Sequence, residues 1–277
     1  MEFTRRTTIF SALASVFAGL LPRTAQASEA DIRHILPTVT SNAMGLSVSL
    51  GRPRAELTLN LDDSAIAGRR MDTLGRFWSF QASDLSADTE YTLQLSDEDG
   101  ALGSSWPLKT FPETTGQSDH FRLLAFTCAG GGDGFGVPGR QFFKPHAFRQ
   151  QMFEAGLAER PDAALAIGDH IYWDLRGGDI PAVGRRSWVI KLLAGWYLQF
   201  RYGAFDRSQP LLGTANEAVL TTVGDEQIAD LYGTRFRSTP IYFISDDHDY
   251  FENDDAEEDL VTFPPDAFSA AAFKAMA

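Results

Sequence analysis

The sequence predicts an all-β sandwich followed by an α/β domain. Three observations predict it. Between about residues 35 and 111, apolar and polar residues alternate in short runs separated by turn residues. After residue 120 the alternation gives way to continuous apolar runs with helical spacing between them. Each of those later runs ends in residues that carry chemistry.

The chain opens with Thr4-Arg5-Arg6-Thr7-Thr8-Ile9-Phe10, an apolar and small-residue stretch through Leu21, and Ala25-Gln26-Ala27 as a small-residue cleavage site. That order is the pattern of an export signal, and the paired arginines resemble a twin-arginine leader, a route for proteins exported already folded. Residues 1–27 are therefore expected to be a leader, with the translocation machinery as a transient partner and the bacterial periplasm or exterior as destination. An ordinary secretory signal or an uncleaved anchor fits the same pattern. No other stretch approaches the roughly 18 apolar residues that span a bilayer, so no stable membrane span is expected in the mature form.

With 277 residues, 44% apolar and 12% aromatic, the chain can bury a core, which excludes disorder as its main state. Its formal charge is -13; the leader holds three arginines against one glutamate, so the remainder carries -15. A generic nucleic-acid binder is basic, so that class is disfavoured. A phosphorylated substrate is not excluded if bound cations supply local positive charge. The lone cysteine, Cys128, makes no internal disulfide and is a filler, a reactive thiol or a metal ligand.

The sandwich is expected over 33–112. Its strands are Gly45 to Leu50, Ala55 to Leu61, Gly75 to Phe80 and Tyr91 to Leu95, closed by an edge strand from Trp106 to Phe111. Leu85-Ser86-Ala87-Asp88-Thr89-Glu90-Tyr91 looks like the corner of fibronectin type III domains, where a tyrosine hydroxyl ties back to upstream backbone. Asp97-Glu98-Asp99-Gly100 reads as a solvated hairpin turn, because calcium-loop spacing is missing. A polar linker spans 113–120, and the second domain 121–277.

In that second domain Phe121 to Phe126 and Ala163 to Ile167 read as buried strands flanking a helix from Pro145 to Arg160, which is a βαβ unit. Further helices are expected over Trp188 to Phe205 and Glu217 to Arg235, before a strand from Ile241 to Ile244. The tail from Asp266 to Ala277 reads as a helix.

Parallel strands deliver their carboxyl ends to one side of the sheet. Cys128, Asp169 with Tyr172, and the run Asp246-Asp247-His248 are thereby expected to converge. Taken alone, the acidic run fits a solvated turn equally well. Together, thiolate, phenolate and carboxylates make a cation site in which the softer donors suit a trivalent transition metal and the carboxylates a harder ion. Such a site clamps phosphate and activates water. Rival chemistries lack their parts. Gly134 stands where a thiol phosphatase needs arginine, Gly130-Gly131-Gly132-Asp133-Gly134 lacks the P-loop lysine, and no Gly-x-Ser-x-Gly elbow occurs. The glycine run is at most a flexible wall of a phosphate pocket. His34 and His146 stand outside any constellation and read as packing or surface residues.

At Thr127-Cys128, at Gly168-Asp169-His170-Ile171-Tyr172-Trp173-Asp174, and at Asp246-Asp247-His248-Asp249 with Asn253-Asp254, the chain resembles the alkaline phosphatase D family. That family is related to the purple acid phosphatases within the calcineurin-like metallophosphoesterases. The resemblance implies a four-layer αββα catalytic domain behind a fibronectin-like module. It also implies hydrolysis of phosphomonoesters or phosphodiesters at a dinuclear or larger centre, Fe(3+) with Ca(2+) or another divalent ion. Carried over, Cys128 and Tyr172 bind the iron, Asp169 bridges, Asp247 binds the second ion, and His248 faces the substrate as hydrogen-bond donor or general acid. Asp246, Asp249 and Asn253 are support.

Two departures stand out. Asp249 occupies a position where the family usually has glutamate. The family also supplies further Asp or His ligands and strands downstream, whereas this chain stops at Ala277. The expectation is a truncated reading with the second half of the domain missing, so that the isolated chain binds metal weakly and turns over negligibly. The rival is a non-catalytic envelope protein whose sandwich binds a partner beside an incomplete phosphoesterase fold.

Overall fold

The computed structural model describes residues 31–113, 120–134, 136, 137, 140, 141, 143–172, 200–246, 249 and 267–276. The leader, Asp247, His248 and Asn253 lie outside the described residues.

Two four-stranded antiparallel sheets form the sandwich. One runs in the order β1 (Ile32–Val39), β2 (Met44–Leu50), β6 (Phe77–Ala82), β5 (Arg69–Arg70), and the other β4 (Ser64–Ala67), β3 (Thr58–Leu61), β7 (Glu90–Asp97), β8 (Gly100–Lys109). Alternate side chains from both sheets, among them Ile35, Val48, Leu59, Phe80, Leu93 and Trp106, make one core. The corner appears as expected: Ser86 N donates to the Tyr91 hydroxyl at 2.8 Å. The hairpin between β7 and β8 pairs Asp97 with Gly100. It is less solvated than its composition implies, because Arg54 Nε donates to the Asp97 carboxylate at 2.6 Å while its NH2 group reaches Asp31 at 2.8 Å.

The second sheet system is parallel, with β12 (Ala163–Ile167) between β9 (Leu123–Thr127) and β13 (Ile241–Ile244). The crossover from β9 to β12 runs through a short antiparallel pair, β10 (Gly136–Val137) with β11 (Arg140–Gln141), and helix α1 (His146–Ala158). It covers one face of the sheet: Phe153 packs on Phe126 at 4.9 Å, stacks on Tyr232 at 5.3 Å and meets Phe236 edge-on at 5.4 Å. On the other face Leu123, Ile167 and Ile244 keep 51%, 39% and 50% of their surface exposed. That is unusual for a parallel sheet, whose two faces are normally both covered.

The helix expected over Glu217 to Arg235 starts earlier and is not continuous. Helix α2 (Ala215–Gly224) is capped by Thr214, whose hydroxyl accepts from Asn216 N at 3.2 Å. It passes into a π-helical turn, Asp225–Ala229, and then a last helical turn α3 (Asp230–Tyr232) that ends at Gly233 with φ +57°. Residues 200–202 are helical; most of the helix expected over Trp188 to Phe205 lies outside the described residues. The tail is helical over Ala267–Met276 (α4). Among the described residues no helix is long and apolar enough to cross a membrane.

Sandwich and parallel sheet are tied by polar contacts. Tyr242 on β13 donates its hydroxyl to the Val39 carbonyl and accepts from Val39 N at 3.2 Å. Arg76 clasps both oxygens of Asp225 at 2.9 and 3.0 Å, and Thr73 N donates to Glu217 at 2.6 Å.

Candidate functional site

The parallel register aligns Thr127, Ile167 and Ile244 as the last residues of their strands. The chain leaves two of them through backbone that side chains rarely adopt: Cys128 has φ +53° and Asp169 φ +54°. For residues other than glycine each such conformation costs on the order of 1–3 kcal/mol and persists where surrounding bonds fix it. Here they do. Cys128 N donates to the Gly168 carbonyl at 3.3 Å, Gly130 N to the Asp169 carbonyl at 2.9 Å, and Gly168 N to the Ile244 carbonyl at 2.7 Å. The approach requires glycine: a Cβ on Gly130 would lie 2.1 Å from the His170 carbonyl oxygen, and one on Gly168 2.3 Å from Asp246 Cβ.

Asp249 completes the lock. Its Oδ1 accepts from His170 N at 2.7 Å and Ile171 N at 3.0 Å, and its Oδ2 from Asp246 N at 2.9 Å. An aspartate thus suffices here to join the loop after β13 to the loop after β12. The His170 ring adds a second tie, with Nε2 3.0 Å from the Ile244 carbonyl and the ring edge-on to Phe243.

Three of the expected metal donors fall together. The Tyr172 hydroxyl donates to Asp169 Oδ2 at 3.2 Å, and the Cys128 thiol lies against the Asp169 carboxylate with Asp246 close by. The Thr127 hydroxyl, 3.3 Å from the sulfur, favours the thiolate, but burial and then Asp169 and Asp246 outweigh it, so the thiol titrates above its ordinary value. Asp169 itself is 8% exposed, and its Oδ1 is buried with no donor in hydrogen-bonding geometry. A strained, buried carboxylate with one oxygen unsatisfied, facing a phenol and a thiol, fits a cation. Among the described residues no three His, Cys, Asp or Glu side chains form a complete ligand cluster.

The glycine run serves differently from its expected role. Arg149, 8% exposed, gathers the carbonyls of Ala129, Gly130, Gly131 and Gly132 with N···O distances of 2.5 to 3.2 Å. Gly131 N and Asp133 N donate to Gln227 and Glu226. It is a buried, pinned turn, and these amides are not offered to a phosphate. Sequence reasoning missed Arg149, Glu226 and Gln227. Their only signal is a charged or amide side chain on an otherwise core-facing helix stripe.

His34 and His146 are both buried; His34 packs within the sandwich against Ser47 and Ser49, whereas His146 borders a cavity. A cavity of about 310 Å³ lies beyond the glycine run, lined by Asp133, His146, Arg201, Thr222, Asp225, Glu226 and Asp230. None of the strand-end residues borders it. Three of its carboxylates are already paired, Asp225 with Arg76, Glu226 with Arg201 and Asp230 with Arg33.

A parallel sheet with strained polar loops at its carboxyl ends stands beside a β-sandwich, and this fold has a counterpart among solved structures. The structure of PhoD shares it over 82% of this chain at a TM-score of 0.51 and 13% identity, and this chain spans 40% of that one. A purple acid phosphatase from yellow lupin (Lupinus luteus) seeds aligns over 79% of this chain and 37% of its own at 14% identity, with a TM-score of 0.42 too low to add to the fold. No protein-family model and no curated protein matches.

Proposed function

We propose that this chain belongs to an exported, metal-dependent phosphoesterase that hydrolyses phosphomonoesters or phosphodiesters. The observation that carries the reading is Asp169: buried, strained, half-satisfied, and in contact with Tyr172 and Cys128. In this reading Cys128 and Tyr172 would hold Fe(3+), Asp247 would hold Ca(2+) or another divalent ion, and Asp169 would be a ligand shared by the two. Such ions, when bound, would supply Lewis acidity and a water of lowered pKa. Around them the chain's own groups orient the reaction. Asp249 fixes the loop bearing Asp246 and, in sequence, His248, which donates a hydrogen bond or proton to the substrate, with Asp246 and Asn253 in support. Twin-arginine export and a periplasmic or secreted location rest on Arg5-Arg6 and Ala25-Gln26-Ala27.

The rival reading, a non-catalytic envelope protein, is favoured by the incomplete ligand cluster among the described residues. Phosphate release from a chromogenic phosphoester, measured on protein made from the complete reading frame, separates the two. The enzyme reading expects turnover that Asp169→Asn lowers by at least about a hundredfold. Equal rates in wild type and variant would remove Asp169 from the chemistry, and no rate in either favours the rival.

A further inference from the structure

Gln227 is 1% exposed and stands in the middle of the π-helical turn Asp225–Ala229. Its Oε1 accepts from Tyr172 N at 2.8 Å and from Gly131 N at 3.2 Å, while its Nε2 donates toward the Tyr172 carbonyl at 3.3 Å. One side-chain amide therefore binds the backbones of two different loops, the one after β9 that carries Cys128 and the one after β12 that carries Asp169 and Tyr172. The next residue back, Glu226, accepts from Asp133 N at 2.8 Å, so consecutive side chains of the π-turn take alternate amides of the same loop. An α-helix advances about 100° per residue and does not hold adjacent side chains to one target as readily, and π-turns inside helices recur at functional sites. Arg149 closes the turn from its carbonyl side.

We propose that Gln227 is a positioning residue of the candidate centre, setting the distance between the thiol loop and the phenol loop through its bonds to Gly131 and Tyr172. The inference rests on the phosphoesterase reading for its effect on rate, but not for its effect on the backbone. Gln227 does not touch the Cys128, Asp169 or Tyr172 side chains in any of these bonds; it acts through their main chain.

The test uses protein from the complete reading frame carrying Gln227→Met, which keeps the volume and removes the bonds, and Gln227→Glu, which keeps an acceptor for both amides. Gln94→Met is the control. Gln94 is a sandwich glutamine whose Nε2 donates to the carbonyls of Leu95 and Leu102 at 2.9 and 3.0 Å, so its loss is purely structural. Hydrogen exchange read at Gly131 and Tyr172 is expected to quicken by about tenfold or more in Gln227→Met, and to stay as in wild type in Gln94→Met. With a chromogenic phosphoester, kcat is expected to fall by about a hundredfold in Gln227→Met with KM nearly unchanged, and to recover in part in Gln227→Glu. Wild-type exchange at both amides in Gln227→Met overturns the positioning role whether or not the wild type turns over. So does quickened exchange with wild-type kcat in an active enzyme. A wild type with no turnover defeats the phosphoesterase reading instead and leaves the exchange result to decide the coupling. If Gln227→Met does not fold, Gln227→Glu carries both readouts, and wild-type exchange and kcat together with a wild-type pH profile in that variant would contradict the inference.

Discussion

At the scale of single residues, hydrogen-bond satisfaction sets Asp169 apart from a buried residue that packs. Asp169 is buried with an oxygen unsatisfied, whereas His34 is buried with both ring nitrogens near hydroxyls, Nδ1 at 2.7 Å from Ser49 and Nε2 at 3.3 Å from Ser47. Burial, helped by the charge of Arg33, lowers the His34 pKa from 6.5 to about 3. The folded value lies below the unfolded one, so the stability His34 contributes is complete above pH 6.5 and is lost as pH falls toward 3. Between about pH 7.5 and pH 5 the wild type is expected to lose about 2 kcal/mol more than a His34→Gln variant in urea unfolding. Parallel losses in the two proteins would contradict this. Cys128, Asp169, Tyr172, Asp246 and Asp249 were legible in the sequence because each follows an apolar run whose end the parallel sheet must present on one side. Arg149 and Gln227 were not, because a residue that acts on another segment's backbone leaves no periodic mark.

At the scale of elements, the alternating runs foretold β2, β3, β6, β7 and the edge strand β8. They did not mark β1, and the reason is physical. Ile35 of β1 faces the sandwich core while Leu36 joins the core under the parallel sheet, so both faces are buried and the alternation disappears. The short strands β4 and β5 are largely exposed, and Ile66 of β4, partly buried against the core, is too little to make an alternating pattern. The π-turn is equally silent, since one extra residue in a helix changes no composition. The corner before β7, by contrast, was readable from Tyr91 and its spacing. Removing its hydroxyl with Tyr91→Phe is expected to cost about 1 kcal/mol in denaturant unfolding and to leave any hydrolysis unchanged. An unchanged midpoint would show that Ser86 N finds another partner without loss.

At the scale of the molecule, the sandwich is fastened to the helices behind the candidate site. Glu217 is the most buried of these ties, at 4% exposure, accepting from Thr73 N, the Thr73 hydroxyl and Gly213 N. Burial alone would raise its carboxyl, but those three donors prevail and hold it below 4.5. Its contribution is therefore present above pH 4.5 and lost as pH falls through the folded value. Glu217→Ala removes the acceptor of two part-buried amides and a hydroxyl and is expected to cost about 2 kcal/mol at neutral pH, with the gap to wild type closing in acid. A gap that does not narrow would place the loss in packing. The same arrangement explains why the sandwich is more than an appendage: Arg76 and Thr73 brace the helix and π-turn from which Gln227 reaches the strand-end loops. In the function proposed, those loops hold a cation at Asp169. Metal analysis of purified protein from the complete reading frame, wild type beside Asp169→Asn, is the decisive measurement. Metal that copurifies with the wild type and is lost from the folded variant is the expected result; a metal-free wild type, or equal metal in both, would contradict the claim.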